Sequence, residues 1–242
     1  MATYDTPPAG DDDDDDYDAE DIPSVVVAAA QSQRLGGFRR VYINTHKPRF
    51  KPEAIVYSLY EFAEGIVYQH ESELERATAF AWRNAIKIYL VGMEFTGSGR
   101  NEVQYEYALQ TADGGSLKLS GTFTVASMAV RRGRRPPDME QDMYTMLATS
   151  QQTVARRLLP MALTALEDGK RVLFDTLKVS NTGLHTPNGV IPWSSVTSVK
   201  VVNGSLVVKE ANRIRPAVHV SVGRVPNSLL FLALAGHLMK KR

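Results

Sequence analysis

Cysteine is absent from the chain, which excludes disulfides, thiolate zinc sites and thiol nucleophiles together and suits a reducing compartment. Long apolar runs are also missing. Residues Met1 to Ile22 have neither the basic start nor the apolar centre of a secretory signal, and no stretch reaches the roughly 18 apolar residues of a membrane-spanning helix. The expected location is therefore cytoplasmic, with peripheral membrane contact left open. No two of the five histidines, His46, His70, His185, His219 and His237, have the spacing of a helical metal pair or an H-E-x-x-H site. Ser194 and Ser195 lack a G-x-S-x-G elbow and read as turn residues. Asp168 and Asp175 read as caps or surface charges. "TGSGRN" fits neither a Walker loop nor G-x-G-x-x-G and reads as a hairpin. The sequence thus offers no catalytic, cofactor or metal constellation, and the expectation is a protein that is not an enzyme.

Charge is present but unevenly placed. Ten acids, from Asp5 to Asp21, precede the first base, Arg34, and the rest of the chain holds 28 bases against 17 acids. The run "PPAGDDDDDDYDAED" repels itself and has little to bury, so residues 1–23 are expected to be a disordered acidic tail. A calcium loop is disfavoured because the sixth loop position, which needs glycine, is Asp16. The bases crowd into candidate sites: Arg39 and Arg40 with Lys47, Arg49 and Lys51; a loop cluster of Arg131, Arg132, Arg134 and Arg135; and Lys240 to Arg242 at the end. Solubility and helix-dipole complementarity explain such clusters. So does an anionic partner, either a protein or a lipid headgroup. Nucleic acid ranks last, since no recognition helix or aromatic-basic strand motif is present.

Between these extremes the 242 residues, 43% of them hydrophobic, suffice for one large or two small domains. Ser24 to Gly37 can form a short helix, but its glycine pair and the following "THKPRFKP" mark residues 24–53 as a linker or lead-in strand. From Ala54 the texture is short apolar strands, ending in a hairpin around Asp113 and Gly114. Pro136 and Pro137 stop the sheet, and Asp138 can cap a long helix. On that helix Met143, Met146, Leu147, Ser150, Val154, Leu158, Met161, Ala162, Ala165 and Leu166 trace one apolar face. Pro160 should kink or restart the helix and Gly169 should end it. Strands resume from Arg171, and a final helix follows Asn227, a candidate cap.

The two strand regions echo each other. Leu59 and Gly65 are six apart, as are Leu177 and Gly183. A tryptophan follows each glycine, Trp82 or Trp193, and steps of three, six and eight beyond it meet Ala85, Ile88 and Leu90 or Val196, Val199 and Val201. An internal repeat of a curved antiparallel sheet closed by a helix accounts for this.

A sheet closed by one helix resembles the pleckstrin-homology-like superfold. Gly183-Leu184, Ile191 to Ser194, the Asn203-Gly204 hairpin and Val225 to Asn227, with "RRLLPMALTALEDGK" before them, resemble a bacterial family of unknown function. This chain departs from that family's frequent tryptophan before the last strand, having "RPAVHV" there. The resemblance implies an α+β fold of two tandem pleckstrin-homology-like units, each a curved antiparallel sheet or partly open barrel closed by a C-terminal helix, over residues 54–169 and 170–242. It implies no activity. The expected function is a non-enzymatic interaction or scaffold protein with a protein partner. A peripheral adaptor for anionic lipid headgroups is the alternative, followed by an enzyme of unrecognised type.

Overall fold

The computed structural model describes residues 22–46, 54–97, 100–125 and 139–241. The acidic run, Asp138 and the arginines at 131, 132, 134 and 135 lie outside the described residues. The fold is α+β, with three helices and four antiparallel sheets, none of them closed, among the described residues.

The first described element is helix α1 (Ser24–Ser32), and strands β1 (Phe38–His46), β2 (Ala54–Phe62), β3 (Gly65–His70) and β4 (Thr78–Ala81) then form one four-stranded meander. β5 (Ala85–Gly97), β6 (Arg100–Thr111) and β7 (Ser116–Val125) form a three-stranded one, and helix α2 (Met139–Glu167) follows. The same order then recurs at smaller scale. β8 (Val172–Phe174), β9 (Leu177–Val179), β10 (Gly183–Thr186) and β11 (Gly189–Pro192) make a four-stranded meander. β12 (Val196–Val202), β13 (Ser205–Glu210) and β14 (Val218–Ser221) make a three-stranded one, and helix α3 (Ser228–Lys240) closes the series.

The echo in the sequence has a geometric counterpart. Gly65 pairs with Ala81 and Gly183 with Pro192, each glycine opposite the residue that precedes the tryptophan. A Cβ at Gly65 would lie 2.3 Å from the Phe80 carbonyl oxygen, and one at Gly183 2.5 Å from that of Ile191; close strand approach therefore demands glycine in both places. Trp82 donates its backbone N–H to Glu64 and Trp193 to Thr182, in each case the residue before the glycine. Three residues beyond each tryptophan, at Ala85 and Val196, the next strand opens with a bulge in the same position. Both indoles are buried. The match fades further along: Leu90 is buried whereas Val201 is exposed.

Residues 24–46, read as a linker or lead-in strand, form a helix and an edge strand paired along β2. The reason is apolar surface on both faces of the first sheet. One face carries Leu59, Ile66 and Phe80 into the main core; the other carries Val41, Tyr60, Phe62, Val67 and Ala81, which pack with Val26 and Ala30 of α1. Strands covered on both sides read as continuous rather than alternating apolar runs, as "AIVYSLYEF" does.

Helix α2 serves two cores. Met143, Met146, Leu147 and Val154 pack into the first, Ala155, Ala162 and Leu166 into the second, and Leu158 touches both. Its buried stripe therefore changes direction near Val154, and Met161, expected on the apolar face, is exposed. The helix does not restart at Pro160 but runs through it. Pro160 is exposed, and its missing N–H leaves the Arg156 carbonyl without its helical partner. Gly169 ends the helix as expected. With φ +73° it lets Lys170 bond back to Ala165 and its own N–H reach Leu166, a Schellman closure.

Candidate functional site

The two successive sheet-and-helix series, β1 to α2 and β8 to α3, are called the first and second units, and they meet along β5. Asn227 precedes α3 with φ +52°, yet its side chain makes no capping bond to that helix. Its Nδ2 donates to the Ile86 carbonyl at 2.8 Å, and its Oδ1 accepts from the Ile88 N–H at 3.1 Å. Its backbone N–H also donates to the Ile88 carbonyl, at 2.8 Å. Asparagine tolerates the left-handed backbone here and presents a donor and an acceptor in the same spacing as a neighbouring strand. Nearby, Gln151 Nε2 bonds the Ser228 hydroxyl at 3.3 Å, and Arg157 donates to the Ala85 carbonyl. Burial holds the Arg157 guanidinium below its usual range, and its Nε is buried without a partner.

Alongside this junction a groove of about 810 Å³ lies between one face of β5–β6–β7 and two later segments, the β8–β9 turn and the residues before α3; it is lined by Tyr89, Val91, Glu106, Lys118, Asp175 and Arg224 among others. Registers align Tyr89 with Ala108 and Lys118, and Val91 with Glu106 and Ser120, so alternation brings these side chains to one face. Asp175 reaches the groove from the β8–β9 turn, where it has φ +58°. Partial burial and the Asp175 carboxylate raise the Tyr89 phenol above its usual range. The lining mixes two cations, two carboxylates and apolar flanks, a combination suited to polar recognition. It contains no nucleophile paired with a base.

The second unit carries a further constellation. Leu173 pairs with Lys178, Lys178 with His185, and His185 with Val190, giving one row across the whole β8–β11 sheet. The Leu173 and Val190 side chains at its ends are 64% and 53% exposed. His185 Nε2 lies 2.9 Å from the Ser180 hydroxyl, which also donates to the Gly183 carbonyl. Desolvation, with Arg171 and Lys178 adding like charge, holds His185 below the usual imidazole range. A serine–histidine contact of this kind invites a nucleophilic reading. Ser180 is instead locked into its turn by Gly183 and Thr182, and no carboxylate is bonded to the ring among the described residues.

Of the other candidates, Arg39 pairs with Glu61 at 3.4 Å and Arg40 with Asp142 at 2.9 Å, so both are partly neutralised. Ser195 donates to Pro192 and Glu210. Among the described residues no three His, Asp or Glu side chains are placed to hold a metal ion, and no helix is long and apolar enough to cross a membrane.

Sequence reasoning placed the positive charge in three local clusters and overlooked a larger asymmetry. Residues 24–169 hold 17 bases and 15 acids, whereas residues 170–242 hold 11 bases and two acids, Asp175 and Glu210. Counting charge by unit, not over the whole body, would have revealed it. Glu210 is engaged by Arg213 at 3.3 Å, and among the described residues neither Arg171 nor Lys178 forms an ion pair.

The sequence profile of a family of unknown function, DUF6585, matches residues 137–242. That span holds α2 and the second unit entire, and over it the chain is similar to that family. No curated protein matches the chain.

Proposed function

We propose that this chain is a non-enzymatic interaction protein in which two pleckstrin-homology-like units act as one scaffold and engage a protein partner. The observation that carries the reading is the repetition of a four-stranded meander, a three-stranded meander and a closing helix, with matched glycine and tryptophan positions at the joint of each unit. Folds of this kind host many functions, so the argument turns on the sites. Its groups with chemical potential, Ser180, Ser195 and Asp168, are engaged in turns and ion pairs. The groove beside Tyr89 and Lys118 offers the mixed polar and apolar lining expected for a partner. A photo-crosslinking residue at Lys118 in the intact chain should trap a partner in the native cell. The same adduct should be lost on Arg224→Glu, which reverses charge across the groove. Adducts unchanged by that substitution would remove the groove from the proposal.

A second reading, a peripheral adaptor for anionic lipid headgroups, is favoured by one observation: exposed Leu173 and Val190 flank Lys178 and His185, with Arg171 beside them, an apolar and cationic combination suited to an interfacial surface. Sedimentation with phosphatidylserine vesicles, with and without Lys178→Glu, separates the two readings. Arg131, Arg132, Arg134 and Arg135, with Arg39 and Arg40, remain candidate contributors to either surface.

A further inference from the structure

We infer that the outer face of the β8–β11 sheet is a docking surface for acidic polypeptide, and that its occupant is the chain's own aspartate-rich segment, residues 5–21. The surface is the row Leu173, Lys178, His185 and Val190, with Arg171 beside it. Arg171 and Lys178 form no ion pair among the described residues, and both act on His185 as like charges. The sheet therefore presents two uncompensated cations, an imidazole and the Thr182 hydroxyl, which lies 3.1 Å from Ser180 Oγ. An apolar side chain stands at each end.

The segment supplies the complement. It contains ten carboxylates and no base, and its Tyr17 is an aromatic group within the acidic run, suited to the apolar flank at Leu173 or Val190. Charge is thus divided along the chain into an acidic start, a nearly neutral first unit and a basic second unit, and opposite potentials favour their association. Reach is sufficient. About 20 residues extend to roughly 70 Å, while a folded body of this size has a radius of gyration of about 17 Å. Tethering holds the local concentration on the order of millimolar, enough to populate contacts that are weak between separate molecules. Arg171 before β8, Lys178 on β9 and His185 on β10 form an extended line in place of a single pocket, which suits a run of consecutive aspartates more than one isolated anion.

The absence of cysteine makes the test direct. Asp16→Cys in the full-length chain accepts a single nitroxide label, and paramagnetic broadening of backbone amide signals then reports what the segment touches. Broadening is expected at Leu173, Lys178, His185 and Val190 in low salt. It should vanish near 1 M salt, where the Debye length is about 3 Å, and also in Arg171→Glu/Lys178→Glu, whose unchanged amide spectrum elsewhere certifies the fold. Neutralising Asp11 to Asp16 to asparagine should abolish it too. Broadening confined to another face, such as β1 around Arg39, overturns the assignment. So does no broadening at any salt while phosphatidylserine vesicles still bind through Lys178, which would give this surface to a membrane.

Discussion

Asn227 and Ile88 are joined by two hydrogen bonds, one to each backbone polar group of Ile88, although 139 residues separate them. The pair covers the edge of β5 at Ile86 to Ile88 with the residue that precedes α3, so the ladder is not open to another chain at that point. Asn227→Ala removes both side-chain bonds, leaves the buried Ile88 N–H and the part-buried Ile86 carbonyl without those partners, and places alanine at φ +52°. The expected cost is about 2–4 kcal/mol, read by urea denaturation, with faster hydrogen exchange at the Ile88 amide. Asn227→Gly keeps the backbone relaxed and should recover only the strain component.

The matched glycines make a paired prediction. Alanine at Gly65 or Gly183 forces a Cβ to within 2.3 or 2.5 Å of a carbonyl oxygen on the facing strand. Because backbone must move in both cases, each substitution should cost at least about 1–3 kcal/mol. Gly37→Ala, where an added Cβ meets nothing within 4 Å, is the control and should leave the melting temperature nearly unchanged.

Trp193 is buried, and its Nε1 donates to the Ser180 carbonyl at 2.7 Å. Trp193→Ala should therefore cost roughly 3–5 kcal/mol. Trp193→Phe, which retains most of the volume, should cost less but still lose the bond. Calorimetry comparing Trp82→Ala and Trp193→Ala tests whether the two tryptophans carry equivalent structural weight.

Alkaline pH acts through buried phenols. Burial raises Tyr107 well above its usual range, the Ser150 hydroxyl opposing the shift only partly. Burial likewise raises Tyr42 and Tyr57. The unfolded chain ionises these groups near pH 10, so it releases protons that the folded chain retains. Stability should fall as pH rises beyond about 10. In Tyr107→Phe the slope of stability against pH above that point should be shallower than in the parent chain.

His185 should titrate below about 6.5, the value of a free imidazole, because of partial desolvation and the Arg171 and Lys178 charges. The unfolded chain takes up this proton first, so the small stabilisation from the neutral ring is lost as pH falls through 6.5. Nuclear magnetic resonance of the imidazole should show the midpoint rising in Arg171→Gln. A midpoint that stays fixed would remove Arg171 as a source of the field.

Much of the strand order could be read from period-two alternation and turn chemistry. Asn203 and Gly204 show why: both adopt positive φ, +49° and +69°, as a two-residue hairpin demands. The position of α1 was hidden because what fixes it, an apolar second face on β2 and β3, is a tertiary requirement that local propensity does not encode. Asn227 was legible as a helix start but not as a clamp, since its partners Ile86 and Ile88 lie in another unit. Met161 misled because a single helical stripe was assumed where α2 turns from one core to the other. The groove was illegible for the same reason: Lys118 and Arg224 approach only through the packing of both units.

That shared helix also sets the order in which a nascent chain can complete its cores. Seven strands of the first unit leave the ribosome before Met143 to Val154 emerge to cover them, so that core waits with an apolar face open. When α2 does emerge, it brings Ala155, Ala162 and Leu166 as an equally uncovered surface for the next unit. The first core is thereby sealed at the moment the second acquires its nucleus, and synthesis hands a single apolar liability forward along the chain until α3 ends it.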